Sequence, residues 1–185
     1  MEKKQIRNLI ILASLVALLI AAFFIGRHLN KVNDENEQAS DEAKEISFVT
    51  VSVNDVDKVS YLVYGDQIRL TRKDDCWYAG AVSLNAATVS SMVDDFNSAT
   101  ASQVITGNDI NLDTFGLSAP SNVITLTDKE GKTQVFNIGI QNKITDQFYM
   151  YLDNDKTKVY MIGPLIPNSF EKGTDELTES SDTAN

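Results

Sequence analysis

The sequence predicts an α+β domain, built mostly from an antiparallel sheet of short strands and hairpins with one amphipathic helix, behind an N-terminal transmembrane helix. Three observations support this prediction. A long apolar run extends from Leu9 to Ile25. Most of the remaining sequence alternates apolar and polar residues, which is the period of half-buried strands. Between residues 86 and 99 the apolar residues instead recur at helical spacing.

The apolar run is interpreted as an uncleaved membrane anchor at 9–26. Its sequence is LIILASLVALLIAAFFI, in which Ser14 is the only polar residue. A bilayer core requires roughly 17–25 helical residues, and a buried helix of a soluble protein usually carries polar residues on one face. The end of the run offers no small residues spaced for signal-peptide cleavage.

The charges around the anchor predict its orientation. Three basic residues, Lys3, Lys4 and Arg7, precede it, whereas two follow it before acidic residues dominate from Asp34 onward. Because basic residues are retained on the cytoplasmic side, we expect residues 1–8 in the cytoplasm. Everything after the anchor is then extracytoplasmic, and the protein is a single-pass protein of the cell membrane.

The part beyond the anchor is expected to contain three segments. Residues 27–44 form an acidic linker, since the stretch after Leu29 is polar and has Val32 as its only large aliphatic residue. Residues 45–172 are long enough for one domain with its own core. Residues 173–185 contain four acidic residues, no basic residue and one leucine, which predicts a disordered acidic tail.

The strands are predicted from the alternation of apolar residues, and the turns between them from Gly, Asp and Asn. Turns are expected at Gly65-Asp66, Asp74-Asp75, 128–131 and Asn154-Asp155. Pro164 and Pro167 are expected to end regular structure. The predicted strands are 49–53, 59–63, 68–71, 76–79, 102–105, 123–127, 134–138, 148–152 and 158–162.

The single predicted helix extends from about Ala86 to Ala99. Its apolar stripe consists of Val89, Met92, Val93 and Phe96, which stand at i, i+3, i+4 and i+7. Asn85 or Ser83 can cap its start.

Composition and residue counts exclude several classes of function. The net charge is −10, whereas nucleic-acid binding favours a basic surface. Cys76 is the only cysteine, so no intrachain disulfide forms, and we expect it to be a small buried residue. His28 is the only histidine and borders the anchor. A Ser-His-Asp triad, a Cys-His pair and a histidine metal site in the folded domain are therefore excluded.

The remaining motifs do not indicate a catalytic, cofactor or metal site. Asp153-Asn154-Asp155 resembles the start of a calcium loop, but Lys158 and Pro164 occupy the positions that require Gly and Glu. No phosphate-binding loop and no G-x-S-x-G motif occur. The late strands carry three tyrosines that could line a binding face or pack in the sheet: Tyr149, Tyr151 and Tyr160.

Several features follow one another in a characteristic order. A tryptophan follows a charged turn, and an amphipathic helix precedes the hexapeptide FGLSAP, an ITL strand, an FNIG strand and a tyrosine-bearing hairpin. This order resembles the bacterial envelope family catalogued as domain of unknown function 4340. The resemblance covers 49–162. The chain departs from the family at Asp75-Cys76, where Asp-Gly is frequent. The motif residues, for which we expect a structural role, are Trp77, Phe115, Gly116, Leu117, Pro120 and Gly139.

The resemblance implies an extracytoplasmic α+β domain behind an N-terminal anchor, without established catalytic residues. Some relatives are similar to auxiliary parts of transporter or gliding-motility assemblies. We therefore expect a non-enzymatic, membrane-anchored accessory domain that contacts membrane lipid through its anchor and a membrane-protein partner through its outer domain, without a cofactor. The alternative is a module that binds a ligand or the cell wall.

Overall fold

The computed structural model describes residues 45–178, which lie within one compact unit that begins at Lys44. The predicted cytoplasmic residues 1–8, the anchor 9–26 and the linker 27–44 lie outside the described residues. Within residues 45–178, no helix has the length and apolar character needed to span a bilayer.

One sheet of ten strands forms the framework of the domain. Its order is β1-β6-β10-β9-β8-β7-β2-β3-β4-β5, and each neighbouring pair is antiparallel. The predicted α+β fold with a mostly antiparallel sheet is therefore confirmed. The strands are β1 Ile46–Ser47, β2 Val56–Val63, β3 Asp66–Lys73, β4 Cys76–Ala79, β5 Val82–Ser83, β6 Thr100–Thr106, β7 Asn122–Asp128, β8 Thr133–Asn142, β9 Gln147–Leu152 and β10 Lys158–Ile162.

The predicted helix connects β5, at one edge of the sheet, to β6 near the other edge. This helix, α1, spans Ala86–Asp94 and continues as a 3-10 turn over Asp95–Ser98. The side-chain oxygen of Asn85 caps it by accepting the backbone N–H of Thr88 at 2.9 Å. A second, one-turn helix, α2, spans Leu165–Ser169. We did not expect it, but prolines are tolerated in a first turn because its N–H groups have no helical acceptor.

The main core lies between α1 and one face of the sheet. All four residues of the predicted helical stripe are buried in it. Phe96 is central, because its ring centroid lies 4.7 Å from that of Phe136 on β8 and 5.6 Å from that of Phe170. The rings of Tyr61 and Phe170 are 5.2 Å apart. These contacts attach the segment after α2 to both the helix and the sheet.

A smaller cluster lies on the opposite face of the sheet. Tyr151 on β9 and Val159 on β10 pack there against Leu117, which belongs to the long loop between β6 and β7. Successive residues of a strand point to opposite faces, and Met150, the neighbour of Tyr151, belongs to the main core. The loop therefore covers the face of the sheet that α1 leaves open.

The strand predicted at 49–53 is wrong. The structure has only the two-residue β1 before it and a 3-10 turn at Val53–Asp55. The side chain of Gln134 takes the place of a neighbouring strand. Its oxygen accepts the N–H groups of Thr50 and Val51 at 2.7 and 3.2 Å, and its amide donates to the Phe48 carbonyl at 2.8 Å.

The predicted boundary at 172 is also wrong for the first residues of the tail. Asp175–Leu177 form a 3-10 turn, and Leu177 is completely buried in the main core. Its carbonyl oxygen accepts the N–H of Asn85 at 2.8 Å. The buried side chain of Leu177 and its backbone bond to Asn85 thus hold 173–178 on the domain. Residues 179–185 lie outside the described part of the chain.

Candidate functional site

The FGLSAP segment and the FNIG strand form one structural unit. Gly116 takes a left-handed conformation with φ +66°, and a Cβ there would lie 2.5 Å from Ile140 Cγ2. A Cβ at Gly139 would collide with the carbonyl oxygen of Phe115 and lie 2.9 Å from Leu117 Cδ2. The two glycines allow the loop to lie directly on β8, so their joint presence has a steric cause.

The structure brings together five of the six motif residues. Immediately after Pro120, the backbone N–H of Ser121 donates to the Ile138 carbonyl at 2.7 Å, beside Gly139. Trp77 is not part of this unit, because it lies in the main core on the other face of the sheet. Its indole N–H donates to Ser90 Oγ of α1 at 3.3 Å. The contacts of these residues therefore hold the fold together.

The three late tyrosines do not share one face. The ring of Tyr149 lies 4.7 Å from that of Phe115, and its hydroxyl accepts from the Asn142 amide at 3.0 Å. Tyr151 is buried in the same smaller cluster, whereas Tyr160 packs against the main core on the opposite face. A binding face made from all three is therefore not present, and packing explains them.

Cys76 is exposed, which contradicts the expectation of a buried residue. It is the first residue of β4, where Trp77 points into the core. Neighbouring residues of a strand face opposite sides, so the burial of the tryptophan places the cysteine in solvent. The preceding turn forms as predicted, with positive φ at both Asp74 and Asp75. The frequent glycine of the family corresponds to Cys76, whereas the positive φ values lie earlier in the turn, at Asp74 and Asp75.

The most exposed aromatic side chain is at the tip of the β2–β3 hairpin. Tyr64 is 99% exposed and has φ +51°, and Gly65 follows with φ +91°. The two central residues of the turn are therefore Tyr64 and Gly65, not Gly65 and Asp66 as predicted. Positive φ at both positions defines a type I′ turn, which favours Asn-Gly. An aromatic residue there is unusual and indicates a role other than stability.

Two cavities flank this tip. The first, named here the apolar cleft, has a volume of about 260 Å³ and is lined by Tyr64, Ile138, Phe148, Pro167 and Glu171 among others. The second, named the acidic groove, has a volume of about 560 Å³. Its lining includes Tyr64, Asp66, Arg69, Asp175 and Glu176. Tyr64 lines both cavities and stands between them.

The buried hydroxyl group of Tyr61 fixes the C-terminal segment beside these two cavities. Tyr61 Oη donates to the backbone carbonyl of Lys172 at 2.8 Å. Burial, and then the negative charge of Glu176, raise the pKa of Tyr61 well above its ordinary value. Tyr61 therefore stays neutral and acts as a hydrogen-bond donor that fixes the C-terminal segment beside the hairpin.

The side of the cleft next to β7 is fixed by Asn122. Its side-chain oxygen accepts the N–H of Leu62 at 2.9 Å, and its amide donates to the Phe170 carbonyl at 2.9 Å. Both polar groups of this buried side chain are thus paired within the protein. The cleft is therefore largely pre-formed, and Asn122 joins the hairpin, the sheet and the segment after α2.

The described residues contain no cluster of metal ligands, and their buried polar side chains have structural partners. Within 45–178, no three His, Cys, Asp or Glu side chains converge closely enough to hold a metal ion. The buried polar side chains Asn122, Asp128, Gln134 and Asn137 all hydrogen-bond to the backbone, which gives them structural roles.

Sequence reasoning missed Tyr64. The signal was present, because Val59, Tyr61 and Val63 define the buried phase of β2. Tyr64 follows on the solvent phase, immediately before a glycine. An aromatic residue on the exposed phase of a strand end identifies the tip as a candidate contact site.

Fold and site together define a small α+β domain with an exposed aromatic tip between two cavities. The chain belongs to the family described as domain of unknown function (DUF4340), whose model matches residues 77–181. This confirms the predicted family, although the match begins at residue 77 instead of 49 and ends at residue 181 instead of 162. Comparison with curated proteins and with solved structures finds no match.

Proposed function

We propose that this protein is a membrane-anchored, extracytoplasmic accessory domain of the bacterial envelope that works through contacts with a membrane-protein partner and does not catalyse a reaction. The partner that we propose belongs to a transporter-type assembly. A single short anchor offers no path for a solute, so the contribution of the chain lies in its outer domain.

One observation carries this proposal: apolar side chains project from two hairpin tips at the same end of the sheet. Tyr64 is 99% exposed on the β2–β3 tip, and Ile144 is 95% exposed between β8 and β9. Both β2 and β8 run toward this end, with β7 between them, because the end of β2 bonds to Asn122 at the start of β7, and Asn122 pairs with Ile138 of β8. Exposed apolar groups gathered at one end of a domain are typical of protein contact sites.

The topology is tested by adding protease to intact spheroplasts that contain the full-length protein. We expect loss of the domain at 45–178 and survival of an epitope placed before Glu2. Full protection of the domain, with cleavage of the epitope, would refute the proposed orientation.

The partner is tested by purifying the tagged full-length protein in mild detergent. We expect an integral membrane protein to remain bound in stoichiometric amount. The matched control is a chain with Glu130→Gln at the far end of the sheet, where no exposed apolar tip is present. The absence of any membrane protein from the wild-type sample would refute the accessory role.

A module that binds a ligand is the second candidate, and the apolar cleft favours it. The cleft is lined by Tyr64, Phe148 and Pro167 together with the acidic residue Glu171. Binding of isolated cell-wall material by the full-length protein, lost when Phe148 is replaced by Ala, would support this candidate.

A further inference from the structure

The charges around the hairpin tip are predominantly negative. Three carboxylates, Asp66, Asp175 and Glu176, line the acidic groove together with one basic side chain, Arg69. A fourth carboxylate, Glu171, lines the apolar cleft on the other side of the tip. All four acidic residues are exposed.

These carboxylates are available to a partner. The ion pairs among the residues described are Arg72–Asp75 and Lys158–Asp155, both outside the two cavities. The guanidinium of Arg69 hydrogen-bonds to the side chain of Gln67 instead of to a carboxylate. Glu176 accepts the backbone N–H of Gly173 at 2.9 Å. Within residues 45–178, none of the four carboxylates forms an ion pair, so a partner that brings positive charge can pair with them.

We propose that the tip of the β2–β3 hairpin is a docking site for a basic, extended segment of a partner protein, in which Lys or Arg side chains flank an apolar side chain. This inference rests on the proposed function and names the chemistry of the partner. The apolar side chain enters the apolar cleft, and the basic side chains face the acidic groove and Glu171.

The size of the apolar cleft and the lining of both cavities favour a protein segment. The apolar cleft, at about 260 Å³, is smaller than the roughly 300–1,000 Å³ of small-molecule sites, but it can receive one aliphatic side chain. The ring of Tyr64 stands between the cleft and the groove, where it contacts both kinds of side chain. Tyrosine is enriched among interface residues that carry much of the binding energy, and its ring also attracts Lys and Arg.

The probe is a fluorescein-labelled nonapeptide that alternates Lys and Leu, compared with a peptide in which Glu replaces each Lys. Binding to the full-length protein in mild detergent is measured by fluorescence anisotropy. We expect the Lys peptide to bind, and Tyr64→Asn to weaken it by at least about ten-fold. Asparagine before Gly65 is favoured in this turn, so the variant retains its fold.

A pair of charge variants separates local recognition from net charge. We expect Asp66→Asn with Glu171→Gln to weaken binding several-fold and to reduce its dependence on salt. The control pair, Asp109→Asn with Glu130→Gln, removes the same charge from exposed residues at the far end of the sheet. It should change the affinity by less than about two-fold, because exposed charges beyond a Debye length are screened.

Several results would overturn the docking site. Equal binding of both peptides, or equal losses in the two charge pairs, would show that attraction is not local. Unchanged affinity in Tyr64→Asn would remove the tip from the interface. If cell-wall material binds through Tyr64 and the Lys peptide does not, the occupant is a polymer and the proposal is wrong.

The same variants separate this inference from the proposed function. A membrane protein that co-purifies equally with wild type and with Tyr64→Asn would support the accessory role and refute the docking site. A wild-type sample without any membrane protein, but with Tyr64-dependent binding of the Lys peptide, would refute the accessory role and support the docking site.

Discussion

The substitution Tyr64→Asn should stabilise the protein, although it removes an aromatic residue. The left-handed region costs an ordinary L-residue about 1–2 kcal/mol, and asparagine adopts it with a much smaller penalty. Tyr64 has φ +51° and is 99% exposed, so its ring buries almost no area that the substitution would lose. We therefore expect a gain of about 0.5–1 kcal/mol in the free energy of unfolding.

This gain is measurable as a shift in Tm. For a domain of this size, 1 kcal/mol corresponds to about 4 °C, so the expected rise is about 2–4 °C. The fluorescence of Trp77 reports unfolding well, because it is the only tryptophan and is 1% exposed. The control is Asp74→Asn in the second turn with positive φ at both centres. Since Asp already tolerates this conformation, its Tm should change by less than about 2 °C.

A fall in Tm of more than about 2 °C in Tyr64→Asn, with Asp74→Asn unchanged, would refute the reasoning. It would mean that the tyrosine ring stabilises the hairpin through packing that its exposure does not reveal. A rise in Tm with a loss of peptide binding would instead show that stability has been exchanged for a contact site. Such an exchange is common where function requires a strained residue.

Three further substitutions test the fold, each by thermal or denaturant unfolding. Gly139→Ala should cost about 1–3 kcal/mol, since its Cβ meets the FGLSAP loop, whereas Gly163→Ala, where nothing lies within 4 Å, should be nearly neutral. Gln134→Ala should cost about 2–4 kcal/mol because buried backbone groups lose their partners, and Gln103→Ala, on an exposed residue, should change little. Leu177→Ala should cost about 2–5 kcal/mol, and an unchanged stability would return 173–178 to the tail.

The helix and most of the strands follow from local pattern. Four apolar residues at helical spacing, with Asn85 before them, are enough to identify α1, and the structure shows the cap and the buried stripe. The strands from β6 to β10 similarly carry their own alternation. In these elements the side chains that are buried recur with the period of the regular backbone. The spacing of the apolar residues therefore indicates both the buried face and the type of secondary structure.

The failures come from interactions over long separations in sequence. Residues 49–53 have the alternation of a strand, but their backbone partners are the side-chain groups of Gln134, more than 80 residues away. Local pattern predicts which side chains are buried, and Val51 and Val53 are buried as expected. It does not identify the acceptor of each backbone N–H, and therefore cannot distinguish a strand from an extended segment.

Composition likewise does not predict the structure of the first residues of the tail. An acidic stretch with one leucine is typical of disorder, yet Leu177 has a place in the core beneath α1 and a backbone bond to Asn85. One buried leucine contributes about 2 kcal/mol, and the backbone bond to Asn85 and the bond from Tyr61 Oη to the Lys172 carbonyl hold the same segment. The average composition of a segment does not show whether one residue in it is buried in the core.

The β2–β3 hairpin lies outside the family match but belongs to the sheet that the matched segment forms. The match begins at Trp77, so the β2–β3 hairpin lies before it. In the sheet, however, β2 pairs with β7 and β3 pairs with β4, so this hairpin joins two parts of the matched segment. The folding domain must therefore include it.

The tip of that hairpin has fewer constraints than its strands. Tyr61 and Leu70 are buried in the common core, and their replacement would disturb packing on both sides. Tyr64 touches the core with almost none of its surface. A substitution at Tyr64 should therefore change the binding of the proposed partner without changing the fold. For this reason the proposed docking site lies at the tip, whereas the FGLSAP loop and Gly139 maintain the fold.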